Sequence, residues 1–494
     1  MEKRREAVGI TGMEQSRMPI VEALTRHQRV ERVSLHTPGH KAGRGLPAQV
    51  AHLAGPFAAW DATELPGLDD LYAARGPIEQ AQALAAHAFG CDATNFLVGG
   101  STAGNLAAIL AVVHPGDVVL VGRNAHLSVW NGLQLARARV AVLSPPLVRS
   151  SAGLPLWGAL SDGDLRGALR RHPDARALIL TSPTYEGVVS DVAALVRTAH
   201  AADVVVLVDE AHGVHLPFHP DLPMSAVQAG ADVVVHSAHK MAAALTQTAF
   251  QHVSGARVDP GTVRRALRTV QTSSPSYLLL ASLDAVRAQL ATEGRARIAV
   301  MIDLLREAQR LLERERPDLL VQLPGNLARD PFKWVLDAGA YGCEGCVLAD
   351  QLRESYGIFV ELCDERSVLL LWTYANSRRD VERVVDALLD LCPEAARGTG
   401  VAVSFAQDAW QPAETDGLID MCPSAGATVW LPAAAAVGRR AAAPVIVYPP
   451  GVPLTLCGER FTERVCARLV RLRSLGVRVD GLNLRDGTVC CFKE

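Results

Sequence analysis

No stretch of this sequence reaches the roughly 18 consecutive apolar residues that a membrane-spanning helix needs, so a membrane association is not expected. The charged start Met1-Glu2-Lys3-Arg4-Arg5-Glu6 is not followed by an apolar segment long enough for a secretory signal, and the chain reads as cytoplasmic. Neither sign of charge predominates. Against 49 Lys and Arg stand 52 Asp and Glu, a formal net charge of -3 with no basic tract, which argues against a nucleic-acid partner. The ten cysteines are scattered. Cys343-Glu344-Gly345-Cys346 has no second pair at zinc spacing beside it, so reduced thiols are expected and no metal site. Internal repeats are also lacking.

What is present is length and alternation. A chain of 494 residues exceeds one ordinary core, and two or three domains are expected. The centre of the sequence is the stretch 229–241. There Val233, Val234 and Val235 read as a strand buried on both faces, and the polar cluster His236, Ser237, His239, Lys240 begins where that strand stops. Ligands of open α/β sheets gather at such strand ends. A lysine there can be a surface charge or an amine held to form a Schiff base with an aldehyde cofactor.

Other strand ends carry matching chemistry. A strand over 96–98 leads into the turn Gly99-Gly100-Ser101-Thr102-Ala103-Gly104-Asn105 and a helix over 106–113, which aims bare N–H groups and hydroxyls at an anion. The turn matches neither the Walker nor the dinucleotide pattern, and an ordinary strand-to-helix connection has the same shape. A strand over 118–121 delivers His126, which can lie flat on a planar ring or face water. The strand over 177–180 ends in Ser182-Pro183-Thr184-Tyr185-Glu186-Gly187. The strand over 204–208 ends in Asp209-Glu210-Ala211-His212-Gly213, where Asp209 can cap a helix or keep a pyridine nitrogen protonated. A phosphate cradle, a histidine, an aspartate and a lysine thus follow successive strands in an order no structural need explains. The alternation predicts a parallel sheet.

Around this core, 34–43 reads as a turn-rich loop whose His36, His40 and Lys41 are candidate anion contacts, and Pro77 opens a helix that Gly90 ends. Gln271-Thr272-Ser273-Ser274 starts a hydroxyl-rich turn before a helix over 278–283. A helix over 301–312, strands over 332–336 and 358–362 and a helix over 380–391 suit a smaller α+β domain, with a boundary near 393–399. A strand at 445 runs into a proline turn, and a helix carrying Val465, Leu469 and Leu472 stops at Gly476. The expected division is an arm 1–45, a large cofactor-binding domain 46–300, a small α+β domain 301–395 and a C-terminal domain 396–494.

The stretches His36-Thr37-Pro38-Gly39-His40-Lys41, Thr63-Glu64-Leu65-Pro66-Gly67-Leu68-Asp69-Asp70-Leu71, Asp209-Glu210-Ala211-His212-Gly213, Ser237-Ala238-His239-Lys240 and Tyr448-Pro449-Pro450-Gly451 resemble the Orn/Lys/Arg decarboxylase family of pyridoxal phosphate enzymes. The resemblance runs from about residue 20 to near the end, and it is to the short members of the family. It implies an α/β large domain of the aspartate-aminotransferase type (fold type I) with a mostly parallel sheet, smaller α+β C-terminal domains, and a homodimer or higher oligomer with the active site at the subunit interface. It further implies that Lys240 carries pyridoxal phosphate, Asp209 bonds the pyridine nitrogen, His126 stacks on the ring and Ala211 packs beneath it. Ser101, Thr102, Ser237 and His239 would hold the phosphate, Thr272 would reach it from the neighbouring subunit, and Thr184 and His212 would be further ring contacts.

Two positions depart from the family pattern. Leu127 stands where a lysine is usual, and Gly438-Arg439-Arg440-Ala441-Ala442-Ala443 has Ala443 in place of an acid, whereas Glu361 is kept. The implied reaction is decarboxylation of a basic L-amino acid (arginine, lysine or ornithine) to an amine and carbon dioxide, as in polyamine biosynthesis. The rivals are an aminotransferase or decarboxylating oxidase of another amino acid, and a non-catalytic regulatory homologue.

Overall fold

The computed structural model describes residues 14–29, 33–150, 153–325, 327–391, 417–421, 427–447, 451–474 and 477–493. The expected boundary at 393–399, the stop at Gly476 and Tyr448-Pro449-Pro450 of the proline turn lie outside the described residues.

The large sheet has eight strands: β1 (Ala93–Leu97), β2 (Val118–Gly122), β3 (Arg139–Leu143), β4 (Ala175–Thr181), β5 (Val205–Asp209), β6 (Val233–Ser237), β7 (Ala249–Val253) and β8 (Ile419–Asp420). Their order across the sheet is β1-β7-β6-β5-β4-β2-β3-β8. The central strands β6, β5, β4, β2 and β3 are parallel neighbours, while β7 and β8 run against their neighbours. Every residue of β2, β5, β6 and β7 is buried. Runs such as Val205-Val206-Leu207-Val208 are apolar on both faces because both faces are covered. Ile109, Val129 and Leu133 pack on one face, and Leu165, Leu195 and Val196 on the other. Parallel order sends β2, β4, β5 and β6 out at one edge, and the loops after them meet there.

Two local expectations are corrected. The helix after β1 spans Gly100–Val112 and does not wait until residue 106. Gly100, at φ 72°, makes the turn alone, so Ser101 to Asn105 are already helical. The strand expected over 358–362 is present only from Leu362, as Leu362–Cys363. Gly357 ends the preceding helix Gly345–Tyr356 in the left-handed region, and residues 357–360 then cross to the sheet without ladder bonds, leaving Phe359 81% exposed.

The smaller sheet pairs Lys333–Asp337 with Ser367–Leu371 and that strand with Leu362–Cys363. It shares one core with the helices Pro77–Phe89, Arg295–Glu315 and Arg378–Asp390. Residue 300 falls inside Arg295–Glu315. A separate core built from Leu454, Phe461, Val465 and Leu469 holds the last part of the chain together. Among the described residues no helix is long and apolar enough to cross a membrane, and no cluster of three or more His, Cys, Asp or Glu is placed to hold a metal ion.

Candidate active site

Lys240 owes its position to the abrupt end of β6. Ser237 is the last strand residue, and the short turn Ala238–Met241 lifts Lys240 half out of the core while Ala238 and Met241 anchor the turn below. Asp209 is likewise the last residue of β5, one strand away. Both open into a cleft that is also lined by Ser101, His126, Thr184, Tyr185, Glu186, Ala211 and His212.

Asp209 is held on both oxygens. Its Oδ2 accepts the Asn105 amide at 3.0 Å and its Oδ1 accepts the Ala211 N–H at 3.2 Å. The same Asn105 amide reaches the Ser128 hydroxyl at 2.9 Å, and Ser128 Oγ lies 2.9 Å from Nδ1 of His126. The Ser128 N–H also donates to that nitrogen, so Nδ1 accepts and the neutral ring carries its hydrogen on Nε2. Burial lowers the pKa of His126, Lys240 lowers it further, and the Asp209 carboxylate opposes both. A neutral, oriented imidazole therefore stands beside a fixed carboxylate.

Lys240 faces His212, with Nζ 3.1 Å from Nε2. Burial lowers the lysine pKa, and the carboxylates of Asp209 and Glu361 hold it up in part. The far side of His212 meets Lys333, whose Nζ lies 2.8 Å from Nδ1 and donates to the Tyr185 carbonyl at 3.2 Å. Burial, then Lys333 and Lys240, keep His212 well below the usual histidine range. Burial also brings Lys333 down to about 8 against the pull of Asp330. At the rim the Tyr185 hydroxyl donates to Glu361 at 2.5 Å. Glu186 Oε2 is shut from solvent without a partner among the described residues, and burial raises its pKa.

Of the residues expected from sequence, Lys240, Asp209, His126, Ser101, Thr184, Ala211 and His212 are brought to one cleft. Thr102 lies in the first turn of Gly100–Val112 and is exposed. Ser237 is fully buried with its hydroxyl 3.3 Å from His239 Nδ1, and that nitrogen donates to the Thr248 carbonyl at 3.1 Å. Thr272 sits on an exposed turn, where its hydroxyl accepts the Ser274 N–H at 3.1 Å. The 34–43 loop stays out of the cleft lining. His40 is engaged by Asp61 at 3.0 Å and by the Gly43 N–H at 3.0 Å, and the Lys41 amine by the His36 carbonyl. Leu127 donates its N–H to the Gly451 carbonyl at 2.9 Å, which seats the C-terminal part beside His126 and brings Val452 into the lining.

Sequence reasoning passed over Asn105, Ser128 and Lys333. For Lys333 a signal existed: a cation inside the apolar run Phe332-Lys333-Trp334-Val335-Leu336 has to be buried, and a buried cation needs partners.

The cleft suits pyridoxal phosphate. The helix Gly100–Val112 begins with no side-chain cap; the Gly100 N–H donates to the Gln247 carbonyl at 2.8 Å, and the N–H groups of the next residues are open to an anion beside the Ser101 hydroxyl. A lysine and a carboxylate stand at adjacent strand ends, as an aldehyde and a pyridine nitrogen on one ring require. This sheet order, with its lysine at the end of β6 and its aspartate at the end of β5, defines a pyridoxal phosphate enzyme of fold type I. Its structural neighbours agree. Lysine decarboxylase A from Pseudomonas aeruginosa superimposes with a TM-score of 0.78 at 23% identity, over 97% of this chain and 81% of that one. The constitutive lysine decarboxylase of E. coli gives 0.77 at 19% identity, over 97% and 82%.

The chain belongs to the Orn/Lys/Arg decarboxylase family, whose major domain it matches over residues 18–323. It is 35% identical to an arginine decarboxylase of Bacillus subtilis (strain 168) over 95% of this chain and 96% of that protein. It is 26% identical to a lysine decarboxylase of Pseudomonas aeruginosa over 96% of this chain and 80% of that protein.

Proposed function

We propose that this protein converts a basic L-amino acid, arginine foremost, to the corresponding amine and carbon dioxide with pyridoxal phosphate. The observation that carries the reading is a cleft with Lys240 and Asp209 at its base and two further carboxylates, Glu186 and Glu361, around it. A substrate with a second cation fits such a cleft, and a planar guanidinium can take a carboxylate through paired hydrogen bonds. The arginine decarboxylase names of its bacillar relatives support the choice of arginine.

When bound, the cofactor supplies a protonated ring that accepts the electron pair left at Cα as carbon dioxide departs. Asp209, fixed by Asn105 and the Ala211 N–H, keeps the proton on the ring nitrogen. His126, locked by Ser128, offers an uncharged face to the ring. Lys240 would hold the aldehyde, and its amine is the group placed to move a proton at the substrate. Ser101 and the helix N–H groups hold the phosphate, with Thr102 in the same first turn and with Ser237 and His239 from the turn that carries Lys240; Thr184, Ala211 and His212 bound the ring. Glu361 takes the distal cation in place of the acid missing at Ala443, which lies outside the cleft lining.

The same reading assigns a homodimer or higher oligomer in which the exposed Thr272 serves the neighbouring subunit's phosphate. It also assigns a cytoplasmic location and a place in polyamine formation. The division into 1–45, 46–300, 301–395 and 396–494 is kept as part of the proposal, supported at its end by the separate C-terminal core.

The test is product analysis of purified protein supplied with pyridoxal phosphate and, separately, L-arginine, L-lysine and L-ornithine, with oxygen uptake followed in parallel. Amine and carbon dioxide in equal amounts, fastest from arginine, are expected. A keto acid, stoichiometric oxygen uptake, or no product from all three would overturn the reading.

A further inference from the structure

Lys333 belongs to the buried strand Lys333–Asp337 and is 1% exposed, yet its amine reaches His212, which lines the cleft. Room for its stem is made by Gly187. A Cβ at that position would come within 2.7 Å of Lys333 Cβ and 2.8 Å of Cγ, and the glycine sits at φ +93°. Lys333 Nζ, His212 Nδ1, His212 Nε2 and Lys240 Nζ then form an unbroken line with contacts of 2.8 and 3.1 Å. We propose that Lys333 is a positioning residue that fixes which nitrogen of His212 carries hydrogen and feeds a proton through that ring to Lys240.

The argument is one of donors and acceptors. A lysine ammonium has hydrogens and no lone pair, so a charged Lys333 donates to the Tyr185 carbonyl and to Nδ1. With Nδ1 accepting, a neutral His212 carries its hydrogen on Nε2 and points it at Lys240, which has to receive it as a free amine. The carboxylates of Asp330, Glu186 and Glu361 face Lys333 and favour its charge, and Lys240 opposes it. Asp330 is itself shared with His215 at 3.2 Å. His126, His215 and the two lysines all disfavour a charge on His212.

The transfer balances. One N–H bond breaks on Lys333 as one forms on Nδ1, and the Nε2–H bond breaks as one forms on Lys240. His212 changes tautomer without holding a charge, and the single positive charge of the trio moves from one lysine to the other. Resting on the decarboxylase reading, the relay has a use: each turnover puts one proton on the substrate carbon, this line recharges Lys240 at once, and Lys333 regains its proton along the same line when product release opens the part-buried Lys240 to water.

The experiment reads Lys240 directly in the cofactor-free full-length protein. The rate of its labelling by trinitrobenzenesulfonate is followed against pH by peptide mass spectrometry. In Lys333→Met the amine loses both the repulsion and the oriented His212 donor, so labelling at pH 7.5 is expected to fall on the order of tenfold. Labelling with the wild-type pH dependence would overturn the proposal. Lys333→Arg keeps a donor that does not release its proton, so labelling is expected to stay near wild type while kcat of the holoenzyme drops at least tenfold with KM within about twofold. A wild-type kcat in that variant would overturn the relay even if Lys333→Met does not fold. Amine production by the wild-type enzyme together with unshifted labelling removes the relay alone. Shifted labelling in a protein that yields no amine removes the decarboxylase reading alone.

Discussion

Arg123→Met isolates the joint between the C-terminal part and the site. The Arg123 guanidinium is fully buried; it donates to the Pro453 carbonyl at 2.9 Å, to the Leu454 carbonyl at 3.1 Å and to Glu459 Oε2 at 3.2 Å. Methionine fills most of the volume and makes none of these bonds. Two carbonyls lose a charged donor, and the buried Glu459 carboxylate loses the guanidinium while keeping the Leu456 N–H at 2.6 Å. Removing one partner of a buried ion pair costs about 3–5 kcal/mol, most of it the penalty on the charge left behind.

The loss falls first on the strand Val452–Thr455, which presents Val452 to the cleft while the neighbouring Gly451 carbonyl holds the Leu127 N–H beside His126. Weaker cofactor retention should therefore accompany the lower stability. Urea unfolding followed by circular dichroism gives the stability, and cofactor absorbance after gel filtration gives the retention. Adding Glu459→Leu removes the stranded charge, so the double variant is expected to recover at least half of the loss. A single variant within about 1 kcal/mol of wild type, or a double variant whose loss is the sum of the singles, would refute the account.

Asp209→Ala is expected to keep part of its cofactor, since Lys240 and the helix N-terminus remain, and to lose at least a hundredfold in kcat; turnover within tenfold of wild type would show that the carboxylate is not what sustains the reaction. Gly187→Ala pushes a methyl group into the Lys333 stem at a positive φ, and a loss of about 2–4 kcal/mol is expected in denaturant unfolding, whereas equal stability would show that the strand yields freely. The buried pair Glu210 and His236, 2.7 Å apart, gives a pH dependence. Burial raises Glu210 to about 8 and lowers His236 to about 3, so the folded pair keeps one proton on the carboxyl group. The unfolded chain gives that proton up below neutrality. Between the ordinary histidine value of 6.5 and about 8 the folded state thus binds more protons, and stability is expected to fall as pH rises, by up to about 2 kcal/mol. Unfolding free energy measured across that range should lose its slope in Glu210→Gln; an unchanged slope would place the proton elsewhere.

Sequence disclosed the base of the cleft because its groups sit at strand ends, where a continuous apolar run stops at a polar residue. Lys240 after Val233-Val234-Val235 and Asp209 after Val205-Val206-Leu207-Val208 carry that signature openly. Asn105 does not, because its amide is turned inward from an apolar helix and its two partners, Asp209 and Ser128, come from other elements. Lys333 was read as part of a strand, and nothing local to it announces His212, which is far away in the chain and close only after the small sheet has docked. The missing strand over 358–361 has a local cause that apolar composition hid: Gly357 sets the chain's exit from the helix, and Ile358, Phe359, Val360 and Glu361 then span the gap to the sheet.

The closing of the large sheet by Ile419–Asp420 has a bearing on how the chain reaches its native state. Ile419 pairs with Val140 and Asp420 with Arg139, Met421 donates to the Ala138 carbonyl at 3.0 Å, and Ile419 and Met421 enter the same core as Val129 and Leu133. Until that late segment arrives, β3 is a bare rim of unpaired N–H and C=O groups, open to strand-by-strand addition of another copy. During synthesis the first two thirds of the chain can build nearly the entire sheet and still lack its seal. The short late strand thus works as a closure against self-association, and a protein cut off before it would be adhesive along one rim even with its catalytic groups in place.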